Sequence, residues 1–202
     1  IDEARAAAAR DADPRTLFDA LARDLLNLAN APASVTLGRL AETTTSNVEA
    51  YRDYRDGVRA LNRWQLGRAD SLLARATALD STFALAHYKR ALTRGWRDPG
   101  DSVQYVALDA AMRHAGRLPE RERALLDAYR TLARAFDAQR HTDTTASRTR
   151  LAEAQRKYEA IVARDSGDAE AWYGLGDAYR HDQGDPQRTA LSWTRALRAF
   201  NR

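Results

Sequence analysis

Apolar residues recur every three or four positions along most of this chain, with polar residues between them. Trp172, Leu175, Gly176 and Tyr179 stand at i, i+3, i+4 and i+7, the spacing of one helical face. Leu17, Leu21, Leu25 and Leu28 form a similar stripe behind Asp13-Pro14, a cap followed by a proline suited to the first helical position. Residues 1–30 therefore read as helix. Ala31-Pro32 interrupts it, and 35–40 reads as a connector or a short helical turn. Ser46 and Glu49 have capping-box spacing, which predicts a helix over 47–63 with Gly57 inside it. Further helices are expected over 67–79, 83–95, 102–115, 118–140, 148–163 and 169–182. A last helix is expected to end at Phe200 after a turn at Gly184-Asp185-Pro186. Residues 80–82, 97–101 and 165–168 read as turns. The polar, threonine-rich stretch 141–147 reads as a loop.

Small and bulky residues alternate between successive helices. Gly57 is followed on the next helix by Ala69, Leu73 and Ala76. Ala154, Tyr158 and Ile161 precede the helix of Trp172. A small residue lets two helices close on each other, and a bulky one fills the gap to the next pair. Asp80-Ser81 and Asp165-Ser166 end the second helix of each pair.

The order Trp-Leu-Gly-Tyr within 169–179 resembles the first helix of a tetratricopeptide repeat. The resemblance to that family extends over residues 47–202 and is strongest over 169–197. His87 stands where the family has a large apolar residue, and 141–147 interrupts a period of roughly 34 residues. The resemblance implies an all-α fold of antiparallel helix hairpins, stacked as a right-handed α-solenoid. It implies a repeat domain at 47–202 with about three to four hairpins, after an N-terminal helical segment and connector at 1–46. Residues 43–51, the Tyr51/Tyr54/Gly57 spacing, 117–123 and 169–179 are also similar to the C-terminal repeat region of bacterial multidomain regulators such as serine/threonine protein kinases. That likeness implies a place in a larger regulatory or signalling protein, in the cytoplasm or in the extracytoplasmic part of a membrane-anchored one.

Composition narrows the picture further. The chain has 202 residues, of which 44% are hydrophobic, enough for a packed core. Its 10 Gly and 5 Pro are too few for the turns of a β-sandwich. Basic residues number 32 against 28 acidic ones, a net charge of +4, and Lys89 and Lys157 are the only lysines. A pI near 9.6 raises the question of nucleic acid. The charges are interspersed, as in Glu120-Arg121-Glu122-Arg123, which argues instead for solvated helix faces. With no cysteine, disulfides and thiolate chemistry are excluded. No apolar run reaches the length of a membrane span, about 18 residues. The chain begins at Ile1 without methionine, which reads as a segment of a longer protein or a processed form.

Catalytic signatures are not found. His87, His114, His141 and His181 lack metal-ligand spacing, so neither a metal nor another cofactor is expected. Gly174-Leu175-Gly176 lies within a helical pattern and does not form a phosphate loop. No nucleophile elbow and no kinase motif occurs. The family resemblance implies a concave groove lined by the first helix of each hairpin. On this chain those positions are Glu170, Tyr173, Asp177 and Arg180, with Tyr51, Tyr54, Arg55, Tyr88 and Lys89 in the earlier hairpins. Tyrosine and arginine are enriched at binding hot spots. The expectation is a non-catalytic interaction module with a protein or peptide partner. The alternative is an all-helical ligand-binding or enzyme domain, with a pocket between hairpins near Trp64, Trp96 or His87. Self-association through the C-terminal hairpin is a further option, because repeat arrays need capped ends.

Overall fold

Asn47 starts the first complete helix among the described residues. Its backbone is extended, and its side-chain oxygen accepts from the backbone N–H groups of Glu49 and Ala50, each at 3.0 Å. The expected cap at Ser46 is displaced by one residue. The physical reason is that the Asn47 amide does two jobs at once: it caps the helix and donates to Leu79 O at 3.2 Å. The amide splits the two jobs between separate atoms, its oxygen accepting from the helix and its NH2 group donating across to Leu79.

The computed structural model describes residues 45–182, 187, 190, 191 and 193–195. The expectations for 1–30, 35–40 and 184–186, and for the end of the last helix, lie outside the described residues. The complete helices are α1 (Val48–Asn62), α2 (Leu66–Leu79), α3 (Ala84–Arg97), α4 (Ser102–Arg113), α5 (Glu120–Arg140), α6 (Thr144–Arg164) and α7 (Ala169–His181). A single 3-10 turn, Ala115–Arg117, follows α4, so the helix expected to reach residue 115 stops short. The described residues contain no strand.

Residues 141–147 are not a loop. Asp143 caps α6 by accepting from the backbone N–H of Ala146 at 2.9 Å, and only 141–143 separate α5 from α6. Threonine disfavours helix interiors because its hydroxyl competes for nearby backbone. Here Thr149 makes that bond back to Thr145 O at 3.0 Å without leaving the helix. Ser147 is buried against the partner helix. The extra length of this hairpin therefore goes into two helices of 21 residues each.

Short connections make successive helices antiparallel neighbours. α1 packs on α2, α2 on α3, α3 on α4, α5 on α6 and α6 on α7. The odd-numbered helices also touch in sequence, α1 with α3, α3 with α5 and α5 with α7. Leu73, Leu108, Leu125, Leu126, Leu132 and Leu151 are almost wholly buried between them. Each such leucine contributes about 2 kcal/mol of burial.

Glycine sets the closest approaches. A Cβ on Gly57 would lie 2.8 Å from Leu73 Cγ, so α1 and α2 meet there without one. On α7 a Cβ at Gly174 would enter the Tyr158 ring, and one at Gly176 would enter the indole of Trp193. The pairs Gly57–Leu73 and Gly176–Trp193 repeat the small-against-bulky register after nearly equal intervals of chain. Charge seals the α2–α3 contact: buried Asp70 accepts from Arg94 at 2.9 Å and Arg97 at 3.2 Å.

Candidate binding surface on the odd-numbered helices

The N-terminus of α7 gathers two carboxylates. Asp168 caps the helix, accepting from the backbone N–H of Ala171 at 3.0 Å. It also accepts from Arg121 of α5, with Nε at 2.7 Å and Nη2 at 2.9 Å, a two-pronged contact suited to the guanidinium fork. Glu170 lies in the first turn, where the helix dipole favours negative charge. It accepts from Tyr88 Oη at 2.7 Å, and both of its oxygens accept from Lys89 Nζ at 2.7 Å. One carboxylate thus ties α7 to α5 and the other ties it to α3.

The electrostatics follow from this arrangement. Burial pushes the Glu170 carboxyl up, but the charges of Lys89 and Arg121 and the bonds from Lys89 and Tyr88 outweigh it and hold the group below its usual value. Burial and the neighbouring Glu170 charge push the Tyr88 hydroxyl well above the ordinary range. Burial, and after it the Glu170 charge, also pushes the Tyr54 hydroxyl above its ordinary range. Its ring meets Phe83 at 4.9 Å and Tyr51 at 6.3 Å. Burial raises Tyr51 as well, with Arg55 acting against it. Arg55 pairs with Asp56 at 3.2 Å.

The residues expected at the groove therefore separate into groups. Tyr88 is buried in the core. Lys89 and Glu170 are spent on each other and join α3 to α7. Tyr51, Tyr54 and Arg55 share one side of α1 and are partly exposed. Tyr173, Asp177 and Arg180 share one side of α7. Asp177 is raised chiefly by burial, with His181 and Arg180 opposing that shift. His181 is lowered chiefly by burial, and its ring lies against Phe136 at 4.2 Å. Arg180 is the exposed cation of this group, 3.4 Å from Asp177 Oδ1.

An aromatic row also joins these helices. Trp64, just past α1, stacks on Trp96 of α3 at 5.1 Å with the planes 29° apart. Trp96 meets Tyr173 of α7 edge-on at 5.3 Å. Trp64 remains 59% exposed, the most solvent-exposed aromatic among the described residues. Its backbone sits at φ 57°, in the left-handed region. Gln65 N–H donates to Ala60 O at 2.9 Å and Trp64 N–H donates to Leu61 O at 2.8 Å, closing the helix in the manner of a Schellman motif. Glycine is the usual residue at this position. A tryptophan there costs about 1 kcal/mol of backbone strain, and the chain nonetheless holds its indole at the surface.

The sequence placed Tyr173 on this surface and named Trp64 and Trp96 only as the rim of a possible pocket. A helix ending at residue 62 or 63 with tryptophan in the glycine position was the available signal. His87, also named with that pocket, instead holds Ser81 O at 2.9 Å in the α2–α3 turn. Among the described residues no group of three or more His, Asp or Glu side chains is placed to hold a metal ion. No described helix is long and apolar enough to cross a membrane. Comparison of the chain with family models, with curated proteins and with solved structures finds no match.

Proposed function

We propose that this chain is a non-catalytic protein-interaction module of the tetratricopeptide type, its hairpins stacked as a right-handed solenoid, within a larger bacterial regulatory protein. The repeat pattern in the sequence and the recurrence of small-against-bulky contacts between successive helices support the architecture. The binding surface is the side shared by α1, α3 and α7. Its partner is a peptide segment, laid along Trp64, Trp96 and Tyr173, with Arg180 available to an acidic group.

The single observation that carries this reading is Trp64. An exposed indole on a strained backbone, stacked on a second indole, is poor economy for folding alone and well suited to recognition. Selecting linear peptides from a displayed library on the purified chain tests it. Binders are expected, and Trp64→Asn, which tolerates the left-handed backbone, should weaken them by about tenfold or more. Selected peptides that bind Trp64→Asn and Tyr173→Ala as tightly as the parent chain would reject the surface. A library that yields no binder would count against the module itself.

A further inference from the structure

Lys157, one of only two lysines in the chain, reaches from α6 to α5. Its Nζ lies 2.8 Å from Asp127 Oδ2, 2.9 Å from Glu153 Oε1, and donates to the buried Thr131 hydroxyl at 2.9 Å. The two carboxylates are thereby engaged at one end of a cleft of about 190 Å³. Three guanidinium groups line the rest of that cleft: Arg130 and Arg134 from α5 and Arg150 from α6.

These three arginines form no ion pair or side-chain hydrogen bond with any described residue. The Arg130 Nε is shut off from solvent and donates to nothing. Arg94, a shielded arginine elsewhere in the chain, does find a carboxylate, at Asp70. Arg130 and Arg134 are also four residues apart on one helix, a spacing at which like charges repel. Four cations and two carboxylates line the cleft, which is therefore formally dicationic. A small cleft lined by three unpaired guanidinium groups matches a compact dianion with several acceptor oxygens.

We propose that the α5–α6 cleft binds a phosphate group, held by Arg130, Arg134 and Arg150. Lys157 screens Asp127 and Glu153 from the anion. The group is either free inorganic phosphate or the terminal phosphate of a small monoester. The site lies on different elements from the aromatic row and does not depend on peptide binding there.

Thermal unfolding of the full chain, with phosphate titrated against chloride at equal ionic strength, tests the proposal. Phosphate is expected to raise the melting temperature saturably, as a ligand of the folded state does. Arg134→Gln/Arg150→Gln should lose that rise while melting at or above the parent temperature without phosphate, because a like-charge repulsion has been relieved. Glycerol phosphate in a parallel titration separates the two sources. A lower half-saturation concentration than phosphate identifies a monoester, and an equal or higher one identifies the free anion. A phosphate effect matched by chloride, or one that persists in the double variant, would overturn the proposal. So would a double variant that loses as much stability without phosphate as with it, since the arginines would then be structural.

Discussion

Glu170 of α7 holds Lys89 of α3 through both carboxylate oxygens at 2.7 Å, although the two stand 81 positions apart in the chain. Side-chain exposures of 15% for Lys89 and 25% for Glu170 leave neither charge free to hydrate fully. The pair joins the first half of the described chain to its last complete helix. Removing one partner strands the other. Glu170→Leu and Lys89→Leu should each cost about 3 kcal/mol in urea unfolding, and the double variant should cost clearly less than their sum. Additive losses would show that the two charges are not coupled.

The same carboxyl makes stability depend on acid. In the folded chain burial raises it, but Lys89, Arg121 and the bonds from Lys89 and Tyr88 hold it below its usual 4.5. The unfolded chain therefore binds more protons here as the pH falls. The stabilisation is complete above pH 4.5 and is lost as pH drops through the lower, folded value. Melting temperatures measured from about pH 6 down to about pH 3 should fall more steeply for the parent chain than for Glu170→Gln. Parallel curves would refute the assignment.

Asp168 serves a helix cap and an interhelix pair with one carboxylate. Asp168→Ala removes both and should cost about 2 kcal/mol. Asp168→Asn keeps an oxygen for the Ala171 N–H and should recover about half of that loss. Chemical denaturation distinguishes the two. Identical losses would mean that the cap contributes nothing.

Two glycines should respond in opposite senses to alanine. At Gly174 the new methyl group meets the Tyr158 ring, which is itself buried, so Gly174→Ala should destabilise by about 2 kcal/mol. At Gly67, early in α2, nothing lies within 4 Å of the added carbon. Gly67→Ala should therefore stabilise by about 0.5 to 1 kcal/mol, because a helical glycine loses more backbone freedom on folding. Differential scanning calorimetry reads both, and a destabilised Gly67→Ala would show an unrecognised contact.

Trp64 separates recognition from folding. Trp64→Asn gives up a stacking contact of about 1 kcal/mol and relieves backbone strain of similar size. Its stability should therefore stay within about 1 kcal/mol of the parent chain. A larger loss in equilibrium unfolding would make Trp64 a packing residue and remove the case for its role in binding.

The helical spans were legible because apolar spacing is a local property of the chain. Tyr158 and Leu175 sit in the core, and the turns at 80–82 and 165–168 fall where Asp-Ser marked them. Residues 141–147 were misread because threonine propensity is also local. The burial of Ser147 and Leu151 against the preceding helix overrode it. Tyr88 was expected to line a groove, yet it lies in the core, where its hydroxyl meets Glu170 from a helix much later in the chain.

The sequence by itself determined which segments are helical and which small residues admit a neighbouring helix. The period of the side chains and the absence of a Cβ carry that information in one dimension. Tertiary structure alone decided which polar groups are spent on each other and which stay available. That depends on how the helices pack. The stacking of hairpins brings Lys89 to Glu170 and Arg121 to Asp168 and stacks Trp64 on Trp96, and the packing of α5 on α6 leaves Arg130, Arg134 and Arg150 on one cleft with no carboxylate partner of their own.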